Sequence, residues 1–217
     1  MFELPLFPLN TVLFPGVPLR LQIFEPRYRI MILDCIEAQK AFGVVLILKG
    51  IEALGPLAEP YTVGCTAQIT HVEKVDEGRM NIGTIGVERF RSLYVDRDEK
   101  PYLMGTVELF PLIQNSGELL VKRGGQLRDL VQRYLQVQGE SGYANYDINQ
   151  IPAEPVDIAY LAAALLHTPL IEKQAILSIE HATVLLANLC DIYRREIALL
   201  KAVLTKGIES SGPFSNN

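Results

Sequence analysis

The side chains that could perform catalysis are few and lie far apart in this chain of 217 residues. The only histidines are His71, His167 and His181, and none has a second histidine or cysteine at the short spacing that a zinc site needs. No glycine-rich stretch is followed by Lys and then Ser or Thr, as a phosphate-binding loop requires. We therefore expect no metal ion and no cofactor.

A nucleophilic serine is also poorly indicated. A serine hydrolase holds its nucleophile on a sharp turn beside a base, typically within Gly-x-Ser-x-Gly. Ser92, Ser116, Ser141 and Ser178 have no such context. The sequence therefore gives little support for a serine hydrolase. A small peptidase or hydrolase whose triad assembles only in three dimensions is the alternative.

One cluster of charged residues lies among apolar neighbours. Glu25, Arg27 and Arg29 surround Pro26, directly after an apolar Ile-Phe pair. An arginine fork can satisfy a carboxylate with two parallel hydrogen bonds, so these residues predict an internal ion-pair clamp at a helix start. Direct contact with a ligand is the alternative.

Composition limits the class of partner. The apolar fraction of 49% and the charged fraction of 21% are typical of a globular protein. The net charge is −5 and neither half is basic, which disfavours nucleic acid and anionic lipid. The longest apolar run, Ile158 to Leu166, is less than half of the about 20 residues that a membrane helix needs. Three widely spaced cysteines and the lack of an apolar leader lead us to expect a cytoplasmic protein.

Residues 1–112 show the period of two that is typical of strands. From Val63 onward, apolar side chains recur at odd positions, and His71 falls on that apolar face; the residues are Val63, Cys65, Ala67, Ile69 and Val75. A turn at Asp76 to Gly78 is expected to connect it to a return strand. The predicted strands are residues 42–49, 63–75, 79–86, 89–96 and 102–109.

Two other patterns interrupt these strands. Prolines alternate with large apolar residues from Leu4 to Leu9, which forces an extended chain and argues against a central strand. A helix is predicted to begin at Pro26, where the missing N–H costs nothing. Its buried stripe is predicted to contain Tyr28, Met31, Ile32, Cys35 and Ile36.

The period becomes helical after residue 113. Helices are expected from the Gly124-Gly125 region to Gly139, from Pro155 to Leu166, from Ile171 to Leu177 and from His181 to Lys206. The last helix has the widest apolar arc, so we place it centrally in a small bundle. Residues 140–151 are predicted to form a loop, and residues 207–217 a disordered tail.

Several motifs together resemble a known family. Leu4-Pro5-Leu6-Phe7-Pro8-Leu9, then Leu13-Phe14-Pro15-Gly16, then Ile23 to Tyr28, are similar to the start of the N-terminal domain of Lon ATP-dependent proteases. Further similarities follow in the same order at residues 42–45, 63–64, 76–79, 86–91 and 101–103. A weaker similarity continues around Glu172-Lys173-Gln174.

The resemblance implies an α+β fold. It consists of a PUA-like, six-stranded β pseudo-barrel with one inserted helix, followed by a C-terminal helical bundle. The implied domains are residues 1–112 and 113–206. It also implies a substrate-recognition role and a protein that is not an enzyme, because catalysis in Lon belongs to ATPase and Ser-Lys protease domains further along the chain. Since the sequence ends at Asn217, we expect a standalone bacterial form that is accessory to ATP-dependent proteolysis.

The expected ligand is unfolded or extended polypeptide, with a protease or chaperone subunit as a further partner. We expect it to bind in a groove between the two halves or along the proline-rich ribbon. The candidate peptide contacts are Phe14, Pro15, Phe24, Arg27, Tyr28, Arg89 and Phe90. The alternative is RNA, which PUA-type barrels often bind, but Arg89, Arg91 and Arg97 alternate with acidic residues instead of forming a basic stripe.

Overall fold

The computed structural model describes residues 1–75, 78–114, 117–140 and 151–210, and these contain seven strands and five helices. The strands are β1 (Phe2–Leu9), β2 (Pro18–Ile23), β3 (Phe42–Lys49), β4 (Glu59–Pro60), β5 (Val63–Lys74), β6 (Met80–Asp96) and β7 (Leu103–Leu109). The helices are α1 (Pro26–Glu37), α2 (Gly117–Glu140), α3 (Pro155–Leu165), α4 (Leu170–Leu177) and α5 (Ala182–Ser210). The predicted turn residues Asp76 and Glu77, the loop residues 141–150 and the tail residues 211–217 lie outside the described residues.

The strands form a closed, barrel-like sheet. The order β1-β7-β6-β5-β3 returns to its start because β1 also pairs with β3. That last pairing is parallel, whereas all the other recorded pairings are antiparallel. The sheet has seven strands, of which β4 contributes only two residues and pairs with β3. The predicted α+β class with a barrel-like β region and one inserted helix is confirmed, and the predicted count of six strands omits the short β4.

Strand β6 organises the sheet through its length of 17 residues. One edge pairs with β5 from Met80 to Arg91. The other edge pairs first with β2, from Met80 to Ile85, and then with β7, from Phe90 to Asp96. The two strands predicted at 79–86 and 89–96 are thus one continuous strand that changes its neighbour.

The proline-rich segment forms β1 in the interior of the sheet, and the expectation that it avoids a central position is wrong. Its first half, up to Leu6, pairs with β7, and its second half, from Leu6 onward, pairs with β3. Each half therefore needs hydrogen bonds on one side only. Pro5 and Pro8 lie in different halves, and each half has an unpaired side on which a missing N–H would break no ladder hydrogen bond.

Helix α1 packs one face into the larger of the two apolar clusters of the β region. Tyr28, Met31, Ile32 and Cys35 are buried there, as their spacing predicts. Ile36 is exposed instead, because it lies at the edge of the helical stripe, one residue beyond Cys35. The ring of Tyr28 stacks on Phe7, with 4.2 Å between the centroids, and so joins the helix to β1.

Two local features differ from the sequence prediction. Strand β2 is absent from the predicted elements, although Leu19, Leu21 and Ile23 alternate with Pro18, Arg20 and Gln22. In β5, the register shifts between Ile69 and His71, so that a bulge separates them. Because a bulge moves the following side chains to the opposite face, His71 is exposed and not apolar-facing.

The chain divides into two compact units, and the division differs from two consecutive halves. The first unit contains residues 1–113 and 163–180, and the second contains residues 114–162 and 181–217. Helix α4 therefore belongs to the same unit as the sheet, although the sequence assigns it to the bundle. The domain limits at 112 and 206 stay a prediction, as no comparison addresses them.

The second unit is organised around α5. The Tyr193 ring lies edge-on to Tyr134 of α2, and its hydroxyl donates to the carbonyl of Ala162 at 2.9 Å. Helix α2 continues through Gly124. Glycine suits this position, because a Cβ there would come within 2.8 Å of Pro155. Helix α5 extends to Ser210, into the segment predicted as a tail.

Replacing Gly64 by alanine is expected to destabilise the first unit by about 1–3 kcal/mol through overpacking. A Cβ at Gly64 would lie 2.5 Å from the carbonyl oxygen of Val44 and 2.7 Å from the ring of Phe90. Urea denaturation measures the effect. The matched control is Gly83→Ala on β6, where the nearest atoms lie 3.4 Å or more away. Equal free energies of unfolding for the two variants would contradict this packing.

Stability is expected to fall as the pH rises from about 9 toward 12. Burial raises the pKa of Cys35 to about 11 and that of Cys65 to about 12, whereas an unfolded thiol ionises near pH 8.5. Above that pH the unfolded chain loses thiol protons that the native protein keeps, so unfolding becomes more favourable. Urea midpoints between pH 7 and 11 measure this slope. Cys65→Ala should make it shallower, and an unchanged slope would count against the buried thiol.

Candidate functional site

The start of α1 carries an ion pair that is almost closed to solvent. The guanidinium of Arg27 lies 3.0 Å from the carboxylate of Glu25, which is only 8% exposed. Arg27 also donates to the carbonyl of Gly55 at 2.9 Å and lies 4.8 Å from the Tyr28 ring centroid. These contacts tie the segment around Gly55 to α1. Glu25 and Arg27 thus form one ion pair, whereas the predicted clamp also included Arg29.

Arg29 lies apart from the ion pair of Glu25 and Arg27. Its guanidinium lies against Gly78, where an added Cβ would collide with it. Gly78 has a φ of +71°, a conformation in which glycine is favoured. Arg29 therefore supports the chain just before β6, and the recorded contacts of Glu25 do not include it.

Arg89 is 2% exposed and joins β6 to the end of α4. Its Nη1 donates to the carbonyls of Leu177 and Ile179 at 2.6 Å each, and its guanidinium lies over Phe110. A cation at these carbonyls also interacts favourably with the negative end of the helix dipole. Arg89 is therefore not an exposed peptide contact, and its predicted role in binding is corrected to a role in folding.

The arginines that an RNA-binding role would use make contacts within the first unit. Arg91 pairs with Glu180 at 2.9 Å and lies 4.1 Å from the Phe110 ring centroid. Arg97 contacts the carbonyl of Leu57 at 3.5 Å. With Arg89 buried, these residues do not form the exposed basic stripe that RNA binding would need.

Burial separates the predicted peptide contacts into two groups. Phe14, Tyr28, Arg89 and Phe90 are almost completely buried, so four of the seven residues serve mainly in packing. The Phe90 ring occupies the space beside Gly43 and Gly64. Pro15 and Arg27 are partly exposed, and Phe24 is 49% exposed. Only these three keep surface for a ligand.

A cavity of about 310 Å³ lies beside the exposed Phe24, and we call it the β2 cavity. It brings together three predicted residues, Phe24, Glu25 and Tyr28. The other lining residues, which the sequence analysis missed, are Phe7, Leu9, Arg20, Leu21, Gln22, Glu52 and Ala53. The signal that could have located β2 is the alternation of Leu19, Leu21 and Ile23.

The wall of the β2 cavity combines aromatic rings with carboxylates. Phe7, Phe24 and Tyr28 supply the rings, and Glu25 and Glu52 supply the carboxylates. Burial raises the pKa of Tyr28 to about 12; the positive Arg27 lowers it in part, and both carboxylates raise it further. The phenol therefore stays neutral at physiological pH and can act as a hydrogen-bond donor. Such a wall fits an apolar ligand group with polar atoms at its edge.

A second, wider cavity of about 790 Å³ lies along the same strand, and we call it the outer-face cavity. It is lined by Pro18 to Gln22 of β2, by residues 70, 71 and 73 of β5, and by residues 81–84 of β6. Asn81 donates to Glu73 across its floor at 3.1 Å. Arg20, Leu21 and Gln22 line both cavities, so β2 separates them.

Ser92 and Ser178 have no catalytic partner among the contacts of their side chains. Ser178 donates its hydroxyl to the carbonyl of Gln174 at 2.8 Å, and the buried hydroxyl of Ser92 has no hydrogen-bond partner. Neither is hydrogen-bonded to a lysine or a histidine. Ser116 and Ser141 lie outside the described residues. Over the described parts of the chain, no helix has the length and apolar character needed to cross a membrane.

Comparison with known proteins agrees with this architecture. Residues 3–195 match the substrate-binding domain of ATP-dependent protease La (LON). The chain belongs to the LON substrate-binding domain family. The resemblance predicted from the N-terminal motifs is therefore confirmed, and it extends through the helices that follow the sheet.

Relatives of this LON substrate-binding domain include Lon protease 2 of Myxococcus xanthus, which is 28% identical over 210 residues. Lon protease of Anaeromyxobacter dehalogenans is 26% identical over 210 residues. In both cases the match covers 96% of this chain but only 25% of the relative. The chain thus spans about a quarter of the length of these curated proteins.

Two solved structures share the fold. The Lon N-terminal domain protein from Xanthomonas campestris has a TM-score of 0.63 and 25% identity, covering 87% of this chain and 97% of that one. The N-terminal domain of Mycobacterium avium complex Lon protease has a TM-score of 0.68 and 17% identity, covering 89% and 98%. At 17% identity the likeness shows the fold alone.

Replacing Arg89 by methionine is expected to lower the free energy of unfolding by about 2–4 kcal/mol, because two carbonyls at the end of α4 lose a charged donor. Arg89→Lys should lose less, since it keeps the charge. Arg97→Met is the control, and as an exposed residue it should cost no more than about 0.5 kcal/mol. Urea unfolding measures all three. Equal losses for Arg89→Met and Arg97→Met would refute the assigned contact.

Proposed function

We propose that this LON substrate-binding domain recognises unfolded polypeptide and that the β2 cavity receives an apolar side chain of it. The observation that carries the proposal is a cavity with aromatic lining and the half-exposed Phe24 beside it, in a domain whose family is described as substrate-binding. We further propose that the domain is not itself an enzyme and cooperates with an ATP-dependent protease. We place this role in the cytoplasm, where the buried free thiols Cys35, Cys65 and Cys190 would stay reduced.

The chemistry of the cavity supports unfolded chains as the ligand. Folded proteins bury their large apolar side chains, whereas unfolded chains expose them in extended conformations. Phe7, Leu9 and Leu21 give the cavity an apolar wall, and Phe24 extends this wall to the surface. Aromatic residues at the rim of a cavity supply large contact areas at a low entropic cost.

The protease as a partner is proposed from the relatives. The curated relatives named here are Lon proteases, and this chain matches about a quarter of their length. A domain of this size would provide recognition, while ATP hydrolysis and peptide cleavage would occur elsewhere.

Replacing Phe24 by alanine is expected to weaken the binding of a permanently unfolded protein by about tenfold, which corresponds to about 1.4 kcal/mol. The probe is a reduced and carboxymethylated globular protein, and its binding is measured by fluorescence anisotropy. The same protein in its native, disulfide-bonded form should not bind.

The matched control is Leu93→Ala. Leu93 is 47% exposed in the same unit, compared with 49% for Phe24, but it does not line the β2 cavity. Its removal should change the affinity less than about twofold, as is usual for surface residues outside a binding site. Equal losses from both variants would place the binding surface elsewhere, and failure of the wild-type domain to bind the unfolded probe would refute the proposed function.

A further inference from the structure

We propose that the outer edge of β2 accepts an extended segment of the polypeptide ligand as an additional β-strand. This proposal rests on the proposed function and specifies how the ligand is held. Among the described strands, β2 pairs only with β6, through a register that runs from Pro18–Ile85 to Ile23–Met80. The opposite edge of β2 therefore has no neighbouring strand.

The phase of the ladder identifies the backbone groups at this edge. The amide of Gly86 donates to the carbonyl of Val17 at 3.0 Å, so residue 17 directs its carbonyl toward β6. In an antiparallel pair every second residue does the same, which places Leu19, Leu21 and Ile23 in the ladder. Arg20 and Gln22 then direct their N–H and C=O groups away from β6, and these are the groups that a new strand would pair with.

Pro18 limits the length of this edge. Like Arg20 and Gln22, Pro18 has a backbone that faces away from β6, but it has no N–H to donate. Prolines and charges at sheet edges reduce indiscriminate strand pairing. The usable edge is thus short, which suits reversible binding of a few residues and disfavours extended self-association.

The space beside the edge is the β2 cavity. Residues of β1 and β2 both line it, yet these two strands are not paired with each other in the sheet. Every second side chain of an added strand would therefore face the β2 cavity, where Phe24 is the exposed aromatic contact. An acidic side chain is disfavoured there, because Glu25 and Glu52 form part of the wall.

The other side chains of the added strand would point toward the outer-face cavity. Arg20 and Gln22 are exposed and line that cavity as well. Opposite charges on neighbouring strands attract, so an acidic residue beside Arg20 is favoured. The partner is therefore an extended segment with apolar residues at alternate positions and a carboxylate between them, on the face opposite the apolar side chains.

The experiment uses a capped seven-residue peptide in which Val and Phe alternate with Thr and a central Glu. Single N-methyl groups are placed on successive amides, and affinities for the whole chain are measured by anisotropy. Strand addition predicts an alternating pattern, in which methylation of amides facing β2 weakens binding at least about tenfold and methylation of the others changes it less than about threefold. Glutamine in place of the Glu should weaken binding about threefold at low salt.

Variants of the protein test the same edge. Gln22→Pro removes one outward N–H and should weaken the unmethylated peptide at least about tenfold, whereas Gln22→Ala keeps the N–H and should bind within about threefold of wild type. If Gln22→Pro fails to fold, the methylation series on the wild-type chain still decides the question. Weakening by both variants to the same extent would indicate a side-chain role and contradict strand addition.

The outcomes separate this inference from the proposed function. If the unfolded probe binds but the methylation pattern does not alternate, strand addition is overturned and the proposed function stands. If neither the probe nor the peptide binds, both are overturned. If the chain forms dimers that Gln22→Pro disrupts, the occupant of the edge is a second copy, and the proposal of a polypeptide ligand at this edge is also overturned.

Discussion

The length of β6 is the constraint on which the rest of the first unit depends. Along one edge of β6, two strands share the pairing: β2 pairs with its first part and β7 with its last part. Its other edge follows β5, and β1 closes the ring by pairing with both β7 and β3. Strand β7 thereby gains β1 as a second neighbour, whereas β2 gains none. The closed barrel and the open edge beside the β2 cavity are two consequences of the same pairing.

Arg89 lies on β6 in the interval between these two partners. At this position its side chain reaches the carbonyls at the end of α4, and Gln174 of the same helix donates to the carbonyl of Val63 at 3.0 Å. A buried guanidinium is costly unless its hydrogen bonds are satisfied, so these contacts fix α4 tightly to the sheet. This explains why residues 163–180 belong to the first unit although they follow the first helices of the second.

Sequence patterns predicted the elements whose side chains follow one period. Residues 42–49 form β3 as predicted, and α1 and α4 agree with prediction to within a residue at the ends that were predicted. The errors lie where a distant contact changes a local rule. Pro5 and Pro8 are tolerated in the interior because β1 changes its partner, and His71 is exposed because of a bulge that no periodicity reveals.

The candidate site was predicted less well for the same reason. The motif residues are prominent because they fold the domain: Phe14 and Phe90 fill its interior and Arg89 joins it to α4. Phe24, Glu25 and Tyr28 were found through the motif, but Arg20 and Gln22 matter only through the position of β2 beside a cavity. That position follows from tertiary pairing, which a single sequence does not contain.

The most direct measurement is amide hydrogen exchange along β2, recorded with and without a bound unfolded polypeptide. The account predicts that binding slows exchange at Arg20 and Gln22, whose amides face away from β6. The amides of Leu19 and Leu21, which already belong to the ladder, should change little. Saturating polypeptide that leaves the exchange of Arg20 and Gln22 unchanged would contradict the account.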